Sequence, residues 1–226
     1  MRISFALLFG AMMIALATPS ALAQGATFYT VTYVEVVPAS AVQAAGLLKV
    51  YRDASRKDAG AVRIDVNQRL DRPNQFTVVG AWADQKAYEA NVATAHAKTL
   101  NEKLAATLAA PTDTRQHNAL AVGDVKSMPG ATVTAVTHVD VIPPQKDNGV
   151  AAVKQLAEDS RKQSGNLRFD VYQQTNRPNH FTVVETWSNR AAYDAHFVQA
   201  QTKDFRTKLA TMTGALYDER LYRTLD

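Results

Sequence analysis

His196 follows Tyr193 by three residues, a spacing that puts an imidazole and a phenol on one face of a helix. Trp187 stands just upstream, where an alternating β-rich run ends. An imidazole with an ordinary pKa of about 6.5 suits proton transfer near neutrality, and phenol, indole and amide groups suit hydrogen bonding to a developing anion. His196, Trp187 and Tyr193 are therefore read as closing one pocket. A competing reading makes Trp187 and Trp82 core packing and leaves His196 at a helix surface.

The chain states this pattern twice. Residues 31–108 overlay 136–213 without a gap at an offset of 105, with 30 identities in 78 positions, where unrelated chains of ordinary composition would share about 5. Ser55-Arg56-Lys57 returns as Ser160-Arg161-Lys162, and Arg72-Pro73-Asn74 with Phe76-Thr77-Val78-Val79 returns as Arg177-Pro178-Asn179 with Phe181-Thr182-Val183-Val184. The first copy offers Trp82, Tyr88 and Asn91 at the places of Trp187, Tyr193 and His196, and Gly80 at that of Glu185. His96, where the second copy has Gln201, lies five residues past Asn91 and is expected on another helix face, in solvent. His138 takes the place of Tyr33 on the first strand and reads as a hydrogen-bonding group or a satisfied sheet histidine. Trp82, Tyr88, Asn91, His96, His138 and Glu185 form the candidate substrate-binding set. Arg63-x-Asp65 and Arg168-x-Asp170 put opposite charges on one strand face and read as an intersheet ion pair rather than a substrate clamp.

Other chemistries find no support. The absence of cysteine removes disulfides, thiolate catalysis and cysteine metal sites, and five histidines scattered along the sequence lead us to expect no metal site. There is no glycine-rich phosphate loop and no Ser-His-Asp signature. Basic and acidic residues are interspersed, so nucleic acid is not an expected partner.

The elements that must position these groups read the same way in each copy. Val31–Val37 alternates and stops at Pro38; apolar positions from Ser40 to Ala59 recur at helical steps before Gly60. Val62, Ile64 and Val66 alternate, a turn around Pro73 follows, and Phe76, Val78 and Trp82 resume the pattern as a hairpin. Asp84 and Ser188 are expected to cap a further helical stretch reaching Leu104 and Leu209, and final strands are expected near Arg115–Val122 and Glu219–Leu225. That order gives a βαββαβ, ferredoxin-like α+β repeat with helices on one sheet face. On the strand carrying Phe181, Val183 and Trp187, the opposite face (Thr182, Val184, Thr186) is also partly apolar, so we expect the two copies to pack sheet to sheet as a single-chain pseudo-dimeric α+β barrel.

Met1-Arg2, the apolar run Ile3–Ala17 and Ala21-Leu22-Ala23 read as a signal peptide over residues 1–23, too short for a membrane anchor. The expected organisation is then a first domain at 28–122, a linker at 123–130 and a second domain at 131–226. The mature protein would be periplasmic or secreted, free of the membrane, and its loss of Arg2 would lower the formal net charge from +4 to +3.

Glu185-x-Trp187, Tyr193, His196 and Phe205, preceded by Gly165-Asn166-Leu167-Arg168-Phe169-Asp170 and Arg177-Pro178-Asn179-His180-Phe181, resemble the antibiotic biosynthesis monooxygenase family of dimeric α+β barrels. The first copy resembles it less closely, through Gly80 and Asn91. The resemblance implies oxidation of a quinol or other aromatic by dioxygen with no cofactor, His196 acting as base and Trp187 and Tyr193 shaping the pocket. The alternative it implies is a binding protein for haem or an aromatic small molecule, without turnover.

Overall fold

The computed structural model describes residues 27–124, 126 and 132–225, so the expected signal peptide and most of the expected linker lie outside the described residues. The first copy contains β1 (Phe28–Glu35), α1 (Ala41–Ser55), β2 (Ala61–Arg69), β3 (Gln75–Trp82), α2 (Gln85–Ala93), α3 (Ala95–Ala105) and β4 (Asp113–Ala121). The second contains β5 (Val133–Asp140), α4 (Lys146–Arg161), β6 (Asn166–Gln174), β7 (His180–Trp187), α5 (Arg190–Phe197), α6 (Ala200–Ala210) and β8 (Asp218–Thr224).

Local chemistry sets the boundaries. Pro38 and Pro143, which lack an N–H and have a fixed φ, end the first strands and start short 3-10 turns. Gly60 and Gly165 both adopt φ +80°, the left-handed conformation that carries each first helix into its next strand. Asp84 caps α2 as expected, accepting from the Ala87 N–H at 2.8 Å. In the second copy the cap is Asn189, not Ser188; its Oδ1 accepts from Ala192 N–H at 2.9 Å. The helical stretch expected to be continuous is in fact two helices. Thr94 turns extended (ψ 157°) and its hydroxyl accepts from Ala97 N–H, starting α3 afresh; Gln199 breaks the second copy at the same point.

All eight strands close into one barrel in the order β1-β3-β2-β8-β5-β7-β6-β4. The expected pseudo-dimeric barrel is thus present, joined more tightly than by two stacked sheets. β4 pairs with β1 over residues 113–118 and with β6 over 117–121, while β8 pairs with β5 and, through residues 222–224, with β2. The last strand of each copy therefore bridges to the other copy, leaving no open sheet edge.

Alternation then divides the apolar residues into three cores. Leu48, Ile64, Phe76 and Trp82 lie under α1–α3, and Val153, Phe169, Phe181, Trp187 and Phe205 lie under α4–α6. Tyr29, Val31, Val79, Ala81, Val136, Tyr172, Val184 and Tyr222 fill the barrel itself. Burying such a side chain contributes about 1.5–3 kcal/mol, and the barrel core exists only when both copies are present. Tyr29 and Tyr172 stack across the copies with centroids 4.4 Å apart. Beside them the two Arg-x-Asp pairs form one network: Arg168 meets Asp170 at 2.7 Å and Asp65 at 3.0 Å, and Arg63 meets Asp65 at 3.1 Å and Asp170 at 3.3 Å. Burial raises the pKa of Asp170, but Arg168 and Arg63 outweigh it and hold the carboxyl below its usual value. Buried ion pairs add little net stability, yet breaking one is costly, and this network joins the two copies through Arg63–Asp170 and Arg168–Asp65.

Candidate functional site

In the second copy the residues read as a pocket do come together. Trp187 ends β7, and α5 lays the His196 ring against its indole with centroids 4.6 Å apart and planes 25° from parallel. Trp187 Nε1 donates to Glu185 Oε2 at 2.8 Å, and His196 Nε2 lies 3.4 Å from the same oxygen. His196 Nδ1 faces the Gln163 amide at 3.0 Å and the Thr202 hydroxyl at 3.4 Å. Burial pushes the Glu185 carboxyl up to about 8, with Glu219 adding to the effect, and burial together with Arg206 pushes the His196 imidazole down to about 4. Near neutrality the pair is a neutral acid and a neutral imidazole rather than an ion pair. Trp187 is 0% exposed, Glu185 3% and His196 4%, so these groups fill the core instead of lining an opening.

The opening lies beside them. Tyr193 donates its hydroxyl to Glu219 Oε1 at 2.8 Å, and Arg206 Nη2 donates to Glu219 Oε2 at 3.0 Å. Glu219 and Arg206, with Phe197, Leu209, Leu216 and Tyr217, line an apolar groove of about 370 Å³. The Arg206 guanidinium sits 3.6 Å from the centroid of the Phe197 ring and 5.3 Å from that of Tyr217, so the cation lies between aromatic walls. Burial raises the Glu219 pKa, opposed in part by the Tyr193 hydrogen bond and Arg206. Glu219, Arg206, Phe197 and Tyr217 were missed from the sequence. The available signal was their divergence from Thr114, Asn101, Val92 and Thr112, their counterparts in the first copy.

The first copy holds a cavity of about 230 Å³ between its helices and sheet, lined among others by Thr30, Tyr51, Trp82, Tyr88, Asn101 and Thr114. Trp82 Nε1 donates to Thr30 Oγ1 at 3.0 Å across the bare Cα of Gly80. A Cβ on Gly80 would stand 2.6 Å from both Thr30 Oγ1 and Trp82 Nε1. Asn91 does not line the cavity. It accepts from the Tyr51 hydroxyl at 2.6 Å and donates to Asp58 at 2.7 Å and Ser55 at 2.9 Å. His96 is not turned away into solvent: the break at Thr94 brings its Nε2 to 3.1 Å from Asp58 and 3.4 Å from Asn91.

His138 lines neither pocket. The pairing of β5 with β7 sets its Nε2 3.1 Å from His180 Nδ1, and His180 Nε2 lies 3.4 Å from Asp140 Oδ1. Strand pairing brings His138 and His180 together although they stand 42 positions apart in sequence.

Comparison with known proteins agrees with this architecture. The family described as "Antibiotic biosynthesis monooxygenase" matches twice, over residues 27–103 and 132–208. YcnE of Bacillus subtilis, provisionally named a monooxygenase, is 25% identical over 81 residues, covering 36% of this chain and 85% of YcnE. The uncharacterised protein sll1783 of Synechocystis is 28% identical over 100 residues, covering 44% of this chain and 67% of that one. A crystal structure from Fusobacterium nucleatum, also provisionally named a monooxygenase, superposes with a TM-score of 0.78 over 90% of this chain and 94% of its own, at 14% identity, and so shares the fold. With two matches that together span most of its length and one fold built from both, the chain belongs, as a tandem duplication, to the antibiotic biosynthesis monooxygenase family.

Proposed function

We propose that the chain is an exported, cofactor-independent monooxygenase that oxidises a quinol or related aromatic with dioxygen in the groove of the second copy. The observation that carries this reading is Glu219: a desolvated carboxylate facing an apolar groove, held by a tyrosine and an arginine, with aromatic side chains around it. In its ionised form Glu219 accepts the phenolic proton, and Tyr193 fixes the orientation of its carboxylate. The resulting phenolate is itself the reductant and passes an electron to dioxygen, whose developing anion is met by Arg206. The two radicals combine at a ring carbon bearing hydrogen, and the hydroperoxide loses water to leave a hydroxyquinone. One dioxygen is consumed per quinol, one oxygen atom entering the ring and the other leaving as water. His196 and Glu185 hold Trp187 behind this wall and act through it.

Oxygen uptake with a panel of hydroquinones tests the proposal. Expected are one O₂ per quinol, label from ¹⁸O₂ in the product and no hydrogen peroxide; peroxide in equal amount to quinone would mean simple autoxidation and end the reading. The second reading, a binding protein without turnover, is favoured by the first-copy cavity, whose lining supplies hydroxyl, amide and indole groups. At about 230 Å³ it falls below the usual 300–1,000 Å³ of ligand pockets and suits a single aromatic ring better than haem. Haemin titration should leave the Soret band unshifted while a monocyclic phenol binds.

A further inference from the structure

Among the described residues one group of metal-ligating side chains belongs to neither pocket: His138, Asp140 and His180, whose donor atoms can all lie within 4.8 Å of one another. We infer that these three residues form a binding site for a divalent transition-metal ion of the zinc or copper type at the end of the barrel. Its three side chains line neither the aromatic groove nor the first-copy cavity.

The register builds it. His138 and Asp140 are two apart on β5 and so share a face, the face on which Val136 enters the barrel core, and Asp140 pairs directly with His180 on β7. The His138 Nε2 to His180 Nδ1 separation of 3.1 Å is close to that of two donors on one small cation, and two imidazoles with one carboxylate suit zinc or copper rather than calcium or magnesium. His180 and Asp140 side chains keep 13% and 16% exposure, which leaves an ion a way in.

Two further observations set this cluster apart from routine sheet packing. His138 Nδ1 is buried without a hydrogen-bond partner, so the protein carries an imidazole it has not fully satisfied. The fold does not require it either, because the first copy makes the same strand pairing with Tyr33, Glu35 and Gln75 at these places. The surrounding charges temper affinity. Arg115 and Arg177 oppose a cation, although Arg115 is already held by Asp113 at 2.8 Å; Asp218, opposite His138 on β8, favours one but is held by Arg220 at 2.6 Å. Three protein ligands leave at least one coordination position to water.

Titrating the chelator-stripped full chain with Zn²⁺ alone in a calorimeter should show one bound ion per chain. Replacing His138→Tyr with His180→Gln installs the first copy's residues and should weaken binding by about tenfold or more, as should Asp140→Asn. Circular dichroism and thermal unfolding confirm that the variants fold. Cu²⁺ electron paramagnetic resonance on the unmutated chain needs no variant and should show two coordinating imidazole nitrogens. Absence of uptake, binding that is unchanged in the folded variants, or a Cu²⁺ spectrum without two imidazoles would overturn the inference.

Discussion

In the first copy an indole N–H ends on a threonine across a glycine (Trp82, Thr30, Gly80); in the second the same N–H ends on a glutamate across an alanine (Trp187, Glu185, Ala135). The paired positions differ together: a side chain at residue 80 would collide with both Thr30 and the Trp82 ring, whereas in the second copy alanine at 135 stands opposite Glu185. Larger groups follow in the second copy. Phe205 replaces Leu100, Phe197 replaces Val92 and Tyr217 replaces Thr112, so the inner cavity of the first copy becomes an outer groove with a carboxylate in its wall. One scaffold thus carries a pocket lined by uncharged groups and a groove walled by a carboxylate–guanidinium pair, and the difference arises where helix meets sheet.

The largest effect expected from breaking this contrast is on turnover. Glu219→Gln should lower kcat/KM by about 10²–10⁴-fold, whereas Thr114→Val, at the matching place in the first copy, should leave it unchanged. Because burial raises the Glu219 pKa and the base must be ionised, the rate should climb through a pH above the ordinary glutamate range, and that limb should vanish in the variant.

Next comes the coupled pair. Gly80→Glu should destabilise the fold by about 3 kcal/mol through overpacking and a buried acid, and adding Thr30→Ala should recover about 1–2 kcal/mol of it in denaturant melts. Additive losses would mean that the two positions did not change together.

Glu185 gives a pH test of the second copy alone. Its folded pKa, about 8 against an ordinary 4.5, means that the native state binds more protons between these values. Stability from this group is full below about pH 4.5 and is lost as pH rises through about 8. Glu185→Gln should flatten that decline, and an unchanged slope in urea melts between these limits would place the proton elsewhere.

The smallest expected effect is Leu100→Phe, which copies the second repeat into the first. It should abolish binding of a monocyclic phenol to the first cavity while shifting stability by less than about 1.5 kcal/mol.

Much of the fold was legible because it is written as periodicity, and periodicity survives in one sequence. The offset of 105, the alternation around Phe76 and Phe181, and the glycines at 60 and 165 each map to an element or turn. Ser188 was mistaken for the cap because Asn189 beside it is equally competent, and the choice is made by which side chain reaches Ala192. The site was legible only where chemistry clusters along the chain. Tyr193, His196 and Trp187 are near neighbours in sequence, but Glu219 enters from the last strand and His180 from a hairpin, and only strand pairing delivers them. His96 failed for a simpler reason: a helix rule was applied across Thr94, where the helix stops.

The last strand of each copy, β4 or β8, is shared with the neighbouring copy, so the sheet of each copy is completed only by the other. Cleaved between them, the two fragments should each present a raw edge that only the other can complete. Mixed in solution they should find one another and rebuild a working barrel, as complementary halves of a split protein do.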